Sequence, residues 1–224
     1  MIASLASTAE HRAAVHRALG DARRLRVVDA LQLSDHTVSE LGELTGLASS
    51  LLAFHLQVLD DAGVIVRTPS EGDARRRYVS LDPAVYPLVG EPPRLDRPTD
   101  TVLFVCTANS ARSQLAALLW RERTGGAATS AGTEPGDLVH PGAVAVARRY
   151  GLDLRAATPR HYRDLDVAPD LVVSVCDRVR ERPVELTAPR LHWSIPDPVP
   201  RGRRAFEDAF TRLAVRVDRL VRAA

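Results

Sequence analysis

The chain has 224 residues, a length that accommodates one large domain or two small ones. Hydrophobic residues make up 45% and charged residues 26%, an ordinary globular composition that excludes a disordered, collagen-like or coiled-coil protein. The net charge of +2 hides an asymmetry, because residues 1–88 hold 9 arginines and 11 acidic residues whereas residues 101–224 hold 19 and 14. No apolar run approaches the ~20 residues that cross a bilayer, and residues 1–10 lack signal-peptide features, so a cytoplasmic protein without membrane association is expected.

Apolar residues in the first 60 positions recur with helical spacing in four short blocks. The blocks are Val15 and Leu19, then Leu25, Val28 and Leu31, then Val38, Leu41 and Leu44, and finally Leu52, Leu56 and Leu59. Gly46 separates the last two blocks, which predicts a helix-turn-helix. Apolar residues at 64–66 and basic and apolar residues at 75–79 flank a polar turn, which predicts a β-hairpin. Residues 1–88 are therefore predicted to form an α+β winged helix-turn-helix domain.

Residues 89–100 contain three prolines and little that is apolar, which indicates a semi-rigid linker. After it, strand-like segments at 101–105, 127–131 and 171–175 alternate with helical blocks at 113–123, 141–150 and 206–220. This alternation predicts an α/β three-layer domain with a parallel sheet over residues 101–224. A ligand site is expected at the carboxyl ends of its strands.

A loop of the form C-x5-R-S follows the first of these strands and leads into a helix. It consists of Cys106, Thr107, Ala108, Asn109, Ser110, Ala111, Arg112 and Ser113. Backbone N–H groups at a helix N-terminus, together with the guanidinium of Arg112, are typical of an anion site. This positive environment is expected to lower the pKa of Cys106 and keep it as a nucleophilic thiolate, with Ser113 donating a hydrogen bond to the sulfur. The alternative is a buried cysteine beside an unrelated arginine, but the strand–loop–helix context favours the anion site.

The loop and several later segments together resemble the low-molecular-weight tyrosine phosphatase superfamily and, within it, the arsenate reductases. The later segments are residues 130–135, 141–143, 151–153, 172–177 and 192–198. The loop resembles that of the reductase branch in carrying Thr107 and Asn109, followed by Gln114. Residues 199–200 are Val-Pro, where phosphatases typically carry tyrosines.

The resemblance implies a mechanism for arsenate as substrate. Cys106 would attack arsenic while Arg112 and the loop bind the oxyanion, and Asp197 would protonate the departing oxygen. Cys176 corresponds to the second cysteine of the family, which attacks the Cys106 adduct and releases arsenite. The alternative for Cys176 is a small buried residue of the sheet. No metal or bound cofactor is expected, since Ala117 stands where relatives have a glutamate that helps bind potassium.

The electrons must then come from an external thiol-redox partner. Thioredoxin-coupled relatives have a third cysteine a few residues beyond the second, and residues 177–183 contain none. Two routes therefore stay open. Thioredoxin reduces a Cys106–Cys176 disulfide directly, or mycothiol or glutathione resolves the adduct and a mycoredoxin or glutaredoxin regenerates the enzyme.

Residues 18–26, 38–41 and 55–63 resemble the ArsR/SmtB-type arsenical-resistance repressors, over about residues 8–82. The resemblance implies a homodimer that binds a DNA operator, with the second helix of the motif in the major groove and the wing against phosphates. The expected DNA contacts are Ser49, Ser50 and His55 on the exposed part of that helix, and Arg67, Arg75, Arg76 and Arg77 on the wing. Thr37 and Ser39 stand where arsenite-sensing relatives have cysteines, so that sensor is absent.

The sequence as a whole predicts a bifunctional arsenic-resistance protein, with arsenate reduction by the C-terminal domain and DNA binding by the N-terminal domain. Two alternatives stay open. One is a transcriptional regulator whose C-terminal domain only senses oxyanions. The other is a low-molecular-weight protein tyrosine phosphatase, since arsenate and phosphate have the same shape.

Overall fold

The computed structural model describes residues 2–182 and 184–224, with side chains from residue 8 onward. The chain forms two compact units, one made of Met1–Pro69 with Arg75–Pro93 and the other of Ser70–Ala74 with Arg94–Ala224. The five residues Ser70–Ala74 therefore interrupt the first unit in sequence but belong to the second. Among the described residues, no helix combines the length and the apolar character needed to cross a membrane.

The first unit begins with helices and ends with a small sheet. Its elements are α1 (Ile2–Leu19), α2 (Ala22–Leu31), β1 (His36–Thr37), α3 (Val38–Thr45), α4 (Ser49–Asp61), β2 (Ile65–Pro69), β3 (Arg77–Leu81) and a 3₁₀ turn at Pro83–Leu88. The sheet is antiparallel in the order β1-β3-β2. The four helices and the hairpin that the sequence predicts are confirmed, whereas the two-residue strand β1 is an addition.

Local sequence signals define the turn between α3 and α4. Thr37 accepts a hydrogen bond from the backbone N–H of Glu40, while the Glu40 carboxylate accepts one from the N–H of Thr37, which forms a capping box. Gly46 ends α3 in the left-handed conformation at φ +69°, which a side chain would strain. These start and stop signals define the two ends of α3, the first helix of the helix-turn-helix.

The apolar faces of these elements meet in one core. Residues of all four helices and of the hairpin contribute to it, including Val15, Val28, Leu41, Leu56, Leu59 and Val79. The helical spacing of the sequence therefore marks the buried faces correctly. Three residues of the predicted blocks are exceptions, since 42%, 37% and 60% of the surface of Leu25, Val38 and Leu44 is exposed.

The second unit alternates strands and helices around a parallel sheet. Its elements are β4 (Thr101–Cys106), α5 (Arg112–Thr124), β5 (Ala127–Gly132), α6 (Pro141–Arg149), β6 (Leu171–Ser174), α7 (Asp177–Glu181), β7 (Arg190–His192) and α8 (Arg203–Ala223). Short 3₁₀ turns lie at Tyr162–Asp164 and Val199–Arg201. The strand order is β5-β4-β6-β7, and each neighbouring pair is parallel. The predicted α/β class and parallel sheet are confirmed, and β7 is a strand that periodicity did not mark.

The centre of the sheet positions the loop that follows β4. The strand is paired on both sides, with β5 and β6, and residues 102–106 are buried. Residues 112–120 of α5 are buried without a break, because the helix packs against β4, β5 and α8. The ends of β4 and α5 are thus held on all sides, which gives the loop between them a rigid frame.

Candidate active site

The loop Cys106–Ser113 lies between the carboxyl end of β4 and the first turn of α5. The carbonyl oxygens of Cys106, Thr107, Ala108 and Ser110 accept hydrogen bonds from backbone N–H groups of residues 133, 134, 136 and 140. These four carbonyls are directed at that neighbouring segment. The loop N–H groups and the amino end of α5 are therefore the polar groups that can bind an anion.

Asn109 stabilises the conformation of the loop. It has φ +49°, a left-handed conformation that asparagine tolerates better than most residues. Its side-chain amide donates to Ser113 Oγ at 2.9 Å, and its side-chain oxygen accepts from the N–H of Arg160 at 2.9 Å. Gly132 lies beneath the loop, where an added Cβ would sit 2.5 Å from the Thr107 carbonyl oxygen. The close approach of β5 to the loop therefore requires glycine at this position.

Cys106 is buried. Its Sγ lies 3.0 Å from Oγ of Ser113, the residue expected from the sequence to donate a hydrogen bond to the sulfur. The prediction that its pKa is lowered is wrong. Burial raises the pKa of the Cys106 thiol, and the nearby Cys176 adds to this, while Arg112 and Ser113 lower it by less. The desolvation of the thiolate therefore exceeds the stabilisation by the guanidinium in this conformation.

Arg112 lies at the amino end of α5 with 6% of its surface exposed. Its Nη1 donates to the carbonyl oxygen of Ile195 at 2.8 Å, and its Nη2 lies 3.3 Å from the Asp197 carboxylate. Burial alone would lower the pKa of the guanidinium, but Cys176, Cys106, Asp197 and Glu71 together raise it. The positive charge of Arg112 is thus stabilised by both cysteines and by two carboxylates.

Cys176 is also buried and lies at the end of β6, directly before α7. Its Sγ is 3.2 Å from Oγ1 of Thr107, the residue that follows Cys106. The structure therefore brings the second cysteine to the loop that carries the first. Asp177, the next residue, pairs with the buried His192, whose Nε2 lies 3.1 Å from the carboxylate.

The pair formed by Asp177 and His192 is a feature that sequence reasoning missed. Nδ1 of His192 lies 3.0 Å from Ser174 Oγ, so the imidazole links the end of β6 to the start of α7. Burial alone would raise the pKa of the Asp177 carboxyl, but hydrogen bonds from His192 and from the backbone N–H of Glu71 hold it below its usual value. This network fixes the backbone on both sides of Cys176.

Glu71 is a second residue that the sequence did not mark. It belongs to the second unit through the segment Ser70–Ala74, and its carboxylate contacts Arg112, Arg201 and the backbone N–H of Asp197. In the sequence it stands in a polar turn with Gly72 and Asp73, which is typical of any hairpin loop. Nothing in this pattern distinguishes a ligand of the buried arginine from a solvated turn residue.

The predicted DNA-contacting residues of the first unit differ in their exposure to solvent. Ser49 and Ser50 are exposed at the start of α4, and Arg75, Arg76 and Arg77 are exposed before and at the start of β3. Arg67, on β2, is only partly exposed, and its Nε lies 3.0 Å from the Asp60 carboxylate.

The expectation that His55 lies on the exposed part of α4 is wrong. Only 2% of its surface is exposed, because it follows the same helical face as Leu52, Leu56 and Leu59. The neighbouring Phe54 is 60% exposed instead. The exposed side chains of this helix include serine hydroxyls, the amide of Gln57 and an aromatic ring, and the imidazole cannot reach a base edge from its buried position.

A cysteine and an arginine joined by a five-residue loop at a strand-to-helix junction, beside an aspartate on a later loop, define the class of cysteine-dependent phosphatase-type enzymes. The family model described as "Low molecular weight phosphotyrosine protein phosphatase" matches residues 101–224, and the chain belongs to this family. Residues 21–66 match the family described as "Bacterial regulatory protein, arsR family". Both resemblances seen in the sequence are confirmed.

Two known proteins and a solved structure are similar to about half of this chain. The "Glutaredoxin arsenate reductase" of Synechocystis is 30% identical over 125 residues, which is 54% of this chain and 95% of that protein. The "Arsenate reductase" of Brevibacillus brevis is 31% identical over 125 residues, 52% of this chain and 90% of that protein. The crystal structure of an arsenate reductase from Archaeoglobus fulgidus has a TM-score of 0.50 and 28% identity, and covers 54% of this chain and 98% of its own.

Proposed function

We propose that this chain is an arsenate reductase that takes its electrons from an external thiol, fused to a DNA-binding unit. The observation that carries the proposal is the approach of both cysteines to one loop, with Cys106 within it and Cys176 Sγ 3.2 Å from Thr107 Oγ1. A phosphatase needs only the first of these thiols, whereas a reductase needs a second thiol to complete the reduction. The similarity to two proteins named as arsenate reductases supports the same choice.

The reaction follows from the groups at this loop. Arsenate binds to the loop N–H groups and Arg112, and the Cys106 thiolate forms a bond to arsenic. Asp197, whose carboxylate lies beside Arg112, protonates the oxygen that leaves as water. In this step the arsenic stays in its +5 state, and Cys106 Sγ carries it as a covalent adduct.

Cys176 then completes the reduction. Its thiolate attacks Cys106 Sγ, which forms a disulfide and breaks the sulfur–arsenic bond. The bonding electron pair goes to arsenic, which leaves as arsenite in the +3 state, while the two cysteines are oxidised. Two electrons from an external dithiol reduce the disulfide and return the enzyme to its starting form.

The experiment that tests this function is arsenite production by the purified 224-residue chain. Thioredoxin with its reductase, mycothiol with mycoredoxin, and glutathione with glutaredoxin are supplied separately. We expect turnover with one of these donors, and a Cys176→Ser variant is expected to lose turnover with thioredoxin by about 10²-fold or more, because no disulfide can form.

The outcomes separate the remaining routes. Full turnover of Cys176→Ser with mycothiol or glutathione would show that a small thiol resolves the Cys106 adduct, and Cys176 would then be a structural residue. If no donor supports turnover, the reductase proposal is wrong. Arsenate-dependent DNA affinity would then favour an oxyanion-sensing regulator, and rapid hydrolysis of aryl phosphates would favour a tyrosine phosphatase.

We also propose that the first unit binds DNA as a homodimer. The exposed basic residues 75–77 and the exposed serines at the start of α4 support phosphate contacts with little base readout. Arg77→Ala is expected to weaken binding to double-stranded DNA about 3- to 10-fold and to reduce the slope of log affinity against log salt concentration by about one phosphate contact. Arg26→Ala, which removes an exposed arginine of α2, is the control, and equal losses in the two variants would contradict the proposed contact.

A further inference from the structure

The carboxylate of Glu71 is bound in the way that an oxyanion would be. Both of its oxygens accept from the backbone N–H of Asp197, at 2.9 and 2.8 Å. One oxygen lies 3.3 Å from Nη1 of Arg112, and the other lies 3.0 Å from Nη2 of Arg201. A single carboxylate therefore takes two guanidinium groups and one backbone donor, which is a donor set typical of phosphate recognition.

Both N–H groups of Arg112 Nη1 are directed at acceptors of the protein. Nη1 carries two N–H groups, of which one donates to the Ile195 carbonyl oxygen and the other faces Glu71. A substrate oxyanion can accept from Nη1 only if one of these acceptors leaves. The Ile195 carbonyl belongs to the backbone before Asp197, whereas Glu71 is a side chain with 23% of its surface exposed, so Glu71 is the acceptor that can leave.

We propose that Glu71 is an internal competitor for the oxyanion site, a carboxylate that holds Arg112 and Arg201 until a substrate oxyanion displaces it. The proposal rests on the proposed function in that Arg112 is the arginine that binds the substrate. The proposal adds to that function a residue that sets the affinity for the oxyanion. The release of Glu71 from Arg112 and Arg201 costs free energy, and this cost lowers the observed affinity.

The segment that carries Glu71 is attached to α7, the helix that follows Cys176. The N–H of Glu71 donates to the Asp177 carboxylate at 2.9 Å, and Ser70 Oγ donates to Glu181 at 2.6 Å. Ser70 Oγ also accepts from the N–H groups of Gly72 and Asp73, which closes a tight turn. These bonds hold the Glu71 carboxylate at a high effective concentration beside Arg112. A carboxylate that binds the guanidinium only weakly can therefore compete with a dissolved anion.

The test compares Glu71→Gln with the wild-type chain, using inorganic phosphate as the probe. The affinity is read as the protection of Cys106 from iodoacetamide, with modification of the Cys106 peptide quantified by mass spectrometry. Glu71→Gln keeps the size of the side chain and removes its charge, so phosphate is expected to protect at about tenfold lower concentration. Glu185→Gln is the matched control, because it removes the same charge from a pair with the exposed Arg163.

A measurement on the wild-type chain complements the variant and does not depend on its folding. Saturating phosphate is expected to speed hydrogen exchange in the peptide that contains residues 70–74, because displacement of Glu71 removes its carboxylate contacts with Arg112, Arg201 and the Asp197 N–H. Equal phosphate affinity of Glu71→Gln and wild type, or unchanged exchange while Cys106 is protected, would overturn the proposal. Neither readout needs arsenate reduction, so a chain that binds phosphate but fails to reduce arsenate would disprove the proposed function alone. Phosphate that protects neither protein would exclude the anion site itself.

Discussion

Replacing Cys106 by serine is expected to lower the rate of arsenate reduction by at least about 10⁴-fold. Serine is only slightly smaller than cysteine and retains a polar group that can hydrogen-bond Ser113, which lies 3.0 Å from the sulfur. Its hydroxyl is a far weaker nucleophile at neutral pH, and a serine adduct offers no sulfur for Cys176 to attack. The measurement is arsenite formation under saturating arsenate with the donor that supports wild-type turnover.

The structural integrity of Cys106→Ser is checked by its Tm, which we expect to lie close to the wild-type value. The variant should also retain protection of residues 70–74 in hydrogen exchange, because Glu71 contacts Arg112 and not Cys106. A residual rate within about tenfold of wild type would exclude Cys106 as the nucleophile. Cys176 would then have to be tested as the attacking thiol.

Replacing Arg112 by lysine is expected to lower kcat/KM for arsenate by about 10²- to 10³-fold. An ammonium group retains the charge, but its donors lie on one nitrogen. The planar guanidinium spreads its donors over three nitrogens, which allows separate contacts with Ile195, Asp197 and an oxyanion. Most of the loss should fall on kcat, because charge on the oxygens develops as Cys106 attacks. Steady-state kinetics over a range of arsenate concentrations separates the two constants.

Arg163→Lys is the control for this substitution. Arg163 is exposed, pairs with Glu185 and stacks on Tyr162, and the change is expected to leave kcat/KM within about twofold of wild type. If Arg112→Lys retained more than about a third of the wild-type kcat/KM, the proposed role of the Arg112 guanidinium in binding the oxyanion would be wrong. A lower Tm of Arg112→Lys with normal kinetics would assign the arginine a structural role.

The parts of the site that the sequence predicted are those encoded by neighbouring residues. Strand, loop and helix follow each other directly at Cys106 and Arg112, so backbone geometry brings the two side chains together without any knowledge of the remaining fold. Asp197 and Cys176 could be identified only by resemblance to a family. Their positions beside the loop depend on strand pairing between segments about 70 to 90 residues apart.

The parts that the sequence did not predict depend on burial and on distant contacts. The pKa of Cys106 follows from desolvation, which the presence of Arg112 in the sequence does not reveal. His55 lies on the buried face of α4, and only the packing of the helix distinguishes that face from the exposed one. Glu71 precedes Cys106 by 35 residues and its neighbours in the sequence all look like a turn, so its contact with Arg112 carries no local signal.

Five residues of the second unit lie within the sequence of the first, so cutting the chain at the linker does not separate the two units completely. A fragment that starts at Arg94 carries the sheet, both cysteines and Arg112, but it lacks Ser70–Ala74 and with them Glu71. Such a fragment lacks the carboxylate that competes for the oxyanion site. Oxyanion affinities measured on it are therefore expected to be higher than those of the whole chain. Conversely, insertion of a tag or a protease site between Pro69 and Arg75 alters the second unit, although the site lies within the sequence of the first.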